Sequence, residues 1–212
     1  MRSKLLLYII LTFFYTPLQF AQVNIGVLGG VNSSTFNGDN PSNGSYTSGY
    51  GYNLGGIIDV FIFEDIALNL QPMYSKYSTF ISYDVDYQYE DYDSISIKTE
   101  YAEFPINVKI VADNNITYVT AGVSFTCLVD ARAKNQRSGD EITIEEKFES
   151  FGLKANFGVG VKFSIGLPLI FFELNYSQSL TNITKDAFLD INIDNKLKSN
   201  GLRLYTGVML KL

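Results

Sequence analysis

The chain has 212 residues, enough for one domain, with a formal net charge of −6, no histidine and one cysteine, Cys127. The missing histidines remove the commonest general base and metal ligand, and a single thiol forms neither an intrachain disulfide nor a thiolate metal cluster. The acidic balance argues against nucleic acid as a partner.

At the amino terminus, Arg2 and Lys4 precede an apolar run over residues 5–14. A membrane helix needs about 20 apolar residues, so this shorter run reads as the core of a secretory signal peptide over residues 1–21. Ala21 is the expected last residue removed, although Gln19 departs from the usual small-x-small cleavage pattern. No cysteine follows the run, which excludes a lipoprotein anchor. The mature domain is then 22–212.

From residue 23 the pattern changes to period two, the signature of strands with two unlike faces. Val23, Ile25, Val27 and Val31 share one face, and Asn24, Gly26, Gly30 and Asn32 the other. Residues 37–48 are rich in Asn, Gly, Ser and Pro, which predicts a loop. Tyr50, Tyr52, Leu54, Ile58 and Val60 then alternate with Gly51, Asn53, Gly55 and Asp59. A tight turn follows at Glu64 and Asp65, and Leu68, Leu70 and Tyr74 oppose Asn69, Gln71 and Ser75. Pro72 cannot donate a ladder hydrogen bond, so it predicts a bulge or the strand's outer rim.

Residues 78–98 form a second polar connection, with Asp84, Asp86, Glu90, Asp91 and Asp93 interleaved with Tyr87, Tyr89 and Tyr92. Such carboxylates can bind calcium, but the run reads first as a solvated loop and a contact surface. The fourth strand places Ala102, Phe104, Ile106, Val108 and Ile110 outward, against Tyr101, Glu103, Asn107 and Lys109. In the fifth, Val119, Ala121, Val123, Phe125, Cys127 and Val129 oppose Thr120, Ser124, Thr126, Asp130 and Arg132.

Another long loop covers residues 134–150. The sixth strand, 151–163, alternates without a break: Phe151, Leu153, Phe157, Val159 and Phe163 against Gly152, Lys154, Gly158 and Lys162. Thirteen residues exceed the usual soluble strand of about 5–6 and suit a tilted membrane crossing. The seventh strand turns Ile170, Phe172, Leu174 and Tyr176 outward and Glu173, Asn175 and Ser177 inward. After a connection at 181–200, the last strand sets Leu202, Leu204, Val208 and Leu210 against Arg203, Tyr205, Gly207 and Lys211.

Eight strands joined by alternately long and short connections predict an all-β fold: an eight-stranded antiparallel up-and-down transmembrane β-barrel, with short periplasmic turns and long extracellular loops. A soluble lipocalin-like barrel is the alternative, but the apolar faces are too long and aromatic for a small ligand cup. In the membrane arrangement Asp59, Glu103, Asp130 and Glu173 face inward with Lys109, Arg132, Lys154, Lys162, Arg203 and Lys211. Eight strands leave an interior that side chains fill, so this set predicts a structural polar network rather than an ion path. Lys154 and Lys162 are expected to pair with Glu103 and Glu173, and Gly158 to leave room for them.

The stretch YAEFPINVK at 101–109 resembles the "Y-x-E-φ-P-φ-x-φ-K" strand of PorT-like outer-membrane β-barrel proteins of Bacteroidetes-type bacteria. The GVG at 158–160 and the FELNY at 172–176, like the family's "x-E-φ-R-Y" strand, agree with it. Asn175 stands where a basic residue is usual. The resemblance implies outer-membrane lipid as the environment and insertion by the barrel assembly machinery. The reading is a non-enzymatic outer-membrane barrel without cofactor or metal, structural or adhesive or one subunit of an envelope complex, meeting protein partners through its long loops. A small porin-like channel is the second reading. An enzyme would need a base for its serines, which the composition withholds.

Overall fold

The computed structural model describes residues 22–38, 44–83, 94–136, 138–185 and 197–212. Residues 1–21, read above as the export signal, and residues 84–93, read as the contact loop, lie outside the described residues. The strands are β1 Val23–Asn37, β2 Gly44–Phe61, β3 Ile66–Leu70, β4 Met73–Tyr83, β5 Ile95–Val111, β6 Thr117–Asn135, β7 Glu141–Thr143, β8 Phe151–Ser164, β9 Pro168–Ser179 and β10 Lys198–Lys211.

All pairings are antiparallel, and the sheet closes on itself. β1 pairs with both β2 and β10, β10 with β9, β9 with β8, β8 with β6, β6 with β5, and β5 with β3 and β4, which return to β2. β3 and β4 are two halves of one crossing, so the ring has eight strands, and β7 adds a short flap along the far end of β6.

Pro72 joins β3 to β4 without a bulge and away from the rim, contrary to the expectation. Leu70 and Met73 keep the same offset against β2 (Ile58 and Gly55) and against β5 (Ile106 and Glu103). The chain stays in register because Pro72 still accepts at its carbonyl, from Gly56 N–H at 2.9 Å, while Gln71 N–H donates to Pro105 O at 3.1 Å. A closed ring tolerates two missing donors where neighbouring bonds hold the strand straight.

A bulge does occur elsewhere, and it corrects the face of two site residues. Glu100 pairs with Asp130 but the next residue, Tyr101, pairs with Leu128, leaving Val129 as an extra residue in β6. Below it Thr120, Ser124 and Thr126 are buried; beyond it Ala131 and Ala133 are buried and Arg132 is exposed. One inserted residue exchanges the two faces of a period-two strand. Asp130 and Arg132 therefore lie on the outer wall, not in the lumen.

Outward rows are apolar over most of the wall: Val27, Val31, Leu54, Phe104, Val108, Val119, Phe157, Val159, Leu202 and Leu204 are all exposed. The interior is filled in layers. At the long-loop end, Phe36, Ile81, Ile97, Ala131 and Ala133 from the wall close around Ile144, Phe148, Ile183 and Leu197 from the connections. Those connections are tied by backbone bonds from Glu149 to Ile183 O (2.9 Å), Ile183 to Leu197 O (2.8 Å) and Lys185 to Lys147 O (2.9 Å). Nearer the short-turn end, Leu28, Ile57, Met73, Phe171, Tyr205 and Met209 form a second apolar cluster against one side of the lumen.

Candidate functional site

Between these apolar layers the lumen holds its charges. The described ones come from β2, β5, β8, β9 and β10, because the inward rows of several strands converge on one axis. Glu103 (β5) is fully buried, with Lys154 Nζ (β8) 2.6 Å from Oε1 and Arg203 Nη1 (β10) 3.0 Å from Oε2. Tyr77 donates its hydroxyl to Glu103 Oε1 at 2.9 Å, and Arg203 donates to Tyr205 Oη at 3.0 Å. Two cations against one carboxylate would leave a buried excess of positive charge. Aromatic faces offset it: Lys154 Nζ lies 4.3 Å from the centre of the Tyr77 ring and 5.2 Å from that of Tyr101, and Arg203 lies 5.7 Å from the Tyr77 ring.

A second centre sits near the short-turn end. Asp59 (β2) accepts from Lys109 Nζ (β5) at 2.7 Å and from Asn69 Nδ2 (β3) at 2.6 Å, and Asn107 Nδ2 donates on to Asn69 Oδ1 at 3.1 Å. Lys109 lies over the Tyr118 ring, 4.1 Å from its centre. Both partners are dry, so this ion pair is sealed from solvent.

Glu173 and Lys162, expected as ion-pair partners, do not pair. Glu173 is buried on β9 and takes long contacts to Oε1, from Asn175 Nδ2 at 3.3 Å and Thr120 Oγ1 at 3.4 Å, with the Tyr118 hydroxyl also against its carboxyl. Asn175 has no charge to give it. Lys162 (β8) instead points to the short-turn mouth, 5.7 Å from the centre of the Phe61 ring. It lines a cavity of about 610 Å³ there with Gln22, Asn24, Glu64 and Lys211. The two lysines are eight residues apart on one strand, which separates them along the barrel axis too far to share one neighbourhood.

Outside, Asp130 and Arg132, turned outward by the bulge, complete a charged strip beyond the apolar belt. Tyr74 donates to Glu100, and Lys76 Nζ lies 2.6 Å from Glu100 Oε1. Arg132 Nε lies 2.7 Å from Asp130 Oδ2, and its Nη1 3.4 Å from Glu141 Oε1. Lys98 stands directly opposite Arg132, and Lys134 opposite Glu141.

Sequence reasoning placed Tyr101 and Tyr205 inward but missed the role of the rings, and it missed Tyr77 and Tyr118 altogether. Inward tyrosines at lysine-rich levels were the available signal. Among the described residues, no group of three or more His, Cys, Asp or Glu side chains could hold a metal.

A closed antiparallel ring with apolar outer rows and a charged, filled interior is an integral outer-membrane β-barrel. The chain belongs to the family described as outer membrane protein beta-barrel domain, which matches residues 19–185. Among solved structures, OprG of Pseudomonas aeruginosa is similar at TM-score 0.53 and 11% identity, covering 91% of this chain and 96% of that one. Ail of Yersinia pestis (TM-score 0.41, 14% identity, 88% and 98% covered) and Neisserial surface protein A (0.44, 11%, 90% and 97%) are more distant in shape. At such identities the OprG likeness shows the fold alone. No curated protein matches the chain. The protein resides in the outer membrane, with its short turns in the periplasm and its long loops outside.

Proposed function

We propose that this is a non-conducting, non-enzymatic barrel of the PorT-like kind, exported by residues 1–21, inserted by the barrel assembly machinery, and serving through its extracellular loops as an adhesive surface or a subunit of an envelope complex. The observation that carries this reading is the closure of the lumen. An apolar plug centred on Phe148 covers the extracellular end, and the dry Glu103–Lys154–Arg203 group crosses the middle. An ion would have to break both. The loop residues Asp84, Asp86, Tyr87, Tyr89, Glu90, Asp91, Tyr92 and Asp93 combine carboxylates with tyrosines, chemistry that suits a protein contact. Non-enzymatic use fits a lumen in which Glu103 and Asp59 are held by cations.

Planar-bilayer recording on the purified barrel tests this reading. The expected record is a baseline without steps, and stable single-channel openings would favour a small pore instead. Crosslinking in native membranes then tests the contact role, with covalent adducts expected through the 84–93 loop.

A further inference from the structure

The charges of the outer wall are confined to one side. They lie on β4 to β7, whereas the described outward positions of β1, β2, β8, β9 and β10 carry one, the exposed Lys198. On β8 the outward row is apolar to its extracellular end, where Phe151 is 76% exposed. On β5 the apolar row ends at Phe104 and Ala102, and Glu100 and Lys98 follow.

Within this strip Lys98 and Arg132 are direct cross-strand partners on the same face. Like charges so placed on antiparallel strands repel. Lys98 makes no ion pair among the described residues. Arg132 is half exposed and uses Nε on Asp130 and Nη1 on Glu141, which fixes the guanidinium and leaves Nη2 without a partner among the described residues. Such a pair is relieved by one anion lying between the two cations, and a guanidinium fork suits a phosphate.

The place of the pair says which phosphate. Phe104 and Phe125 face lipid just below it, and the Tyr52 and Tyr74 rings lie tilted together beside it with centres 6.4 Å apart, at a level where interfacial aromatics gather. This is the depth of the outer leaflet's headgroups. The geometry points to a binding site for the phosphorylated headgroup of an outer-leaflet glycolipid on the outer wall of β5 and β6, with Lys98 and Arg132 on the phosphate and Asp130 and Glu141 positioning the arginine. The site lies outside the lumen and is independent of whether the barrel conducts.

The test is native mass spectrometry of the full folded barrel in detergent with bisphosphorylated lipid A, the dephosphorylated glycolipid, or inorganic phosphate. The unaltered protein should retain lipid A, and the K98S/R132S double variant should bind it at least about tenfold more weakly, two charge-assisted contacts being lost. Lys198→Ser should bind as the unaltered protein does. Should the double variant fail to show a heat-modifiable band in detergent gels, Arg132→Lys alone is used, with weaker but measurable retention expected. Equal retention of lipid A by the variants would overturn the site, as would equal retention of the phosphate-free glycolipid. Binding of inorganic phosphate as tight as that of lipid A would also overturn it, because the lipid would then contribute nothing.

Discussion

The lumen and the outer wall each hold a carboxylate pinned by cations, and the two are built for different surroundings. Glu103 is dry and held by Lys154, Arg203 and Tyr77, whereas Glu100 lies on the wall with Lys76, partly open to the exterior. A buried charge stripped of its partner costs far more than an exposed one, where water replaces the lost contact. The inner group therefore fixes how the strands meet across the lumen, and the outer group is free to meet ligands.

The largest expected effect comes from Glu103→Gln, which strands two buried cations. It should destabilise the barrel by about 3–5 kcal/mol, read as a lower urea midpoint for loss of the heat-modifiable band in lipid vesicles. A midpoint equal to that of the unaltered protein would show that water reaches the triad and would break the contrast with the wall.

Next in size is Gly158→Val. A Cβ at Gly158 would come within 2.4 Å of Thr120 Oγ1 and 2.9 Å of Glu173 Oε1. Overpacking of this kind costs about 1–3 kcal/mol, measured by the same unfolding midpoint. Folding at full yield and stability would mean that the lumen around Glu173 is looser than its contacts imply.

Glu173→Gln should have a smaller effect and one of opposite sign to Glu103→Gln. It removes a buried carboxylate that no cation among the described residues holds within ion-pair distance, so the midpoint should stay or rise. A fall as large as that of Glu103→Gln would show that Glu173 carries a charge the fold relies on.

The smallest effect belongs to the wall. Lys76→Ser should leave the midpoint unchanged within error, since partly exposed ion pairs contribute little. A clear loss of stability there would erase the distinction between the two regions.

Period two was enough to read the eight crossings, the alternation of long and short connections, and the inward placement of Asp59, Glu103, Lys109, Lys154, Lys162, Glu173 and Arg203. That legibility has a physical basis: in a closed sheet facing lipid, the outward side of every strand must be apolar, and nothing but alternation satisfies that. The pattern failed at Val129, because a single unpaired residue leaves no mark in composition yet turns Asp130 and Arg132 to the other side of the wall.

Partners across the lumen were equally hidden. Whether Lys154 or Lys162 meets a given acid depends on the stagger between strands, which hydrogen-bond register sets and side-chain chemistry does not announce. The tyrosine rings beneath the cations, and the apolar plug assembled from residues 36 to 197, also required the ring to close first. By itself, then, the amino-acid order determined that this chain makes a membrane barrel and which face each regular segment shows. Only the tertiary structure decided which charges meet, which described carboxylate stays outside an ion pair, and where the wall becomes charged, because register, stagger and one bulge are properties of strands in contact.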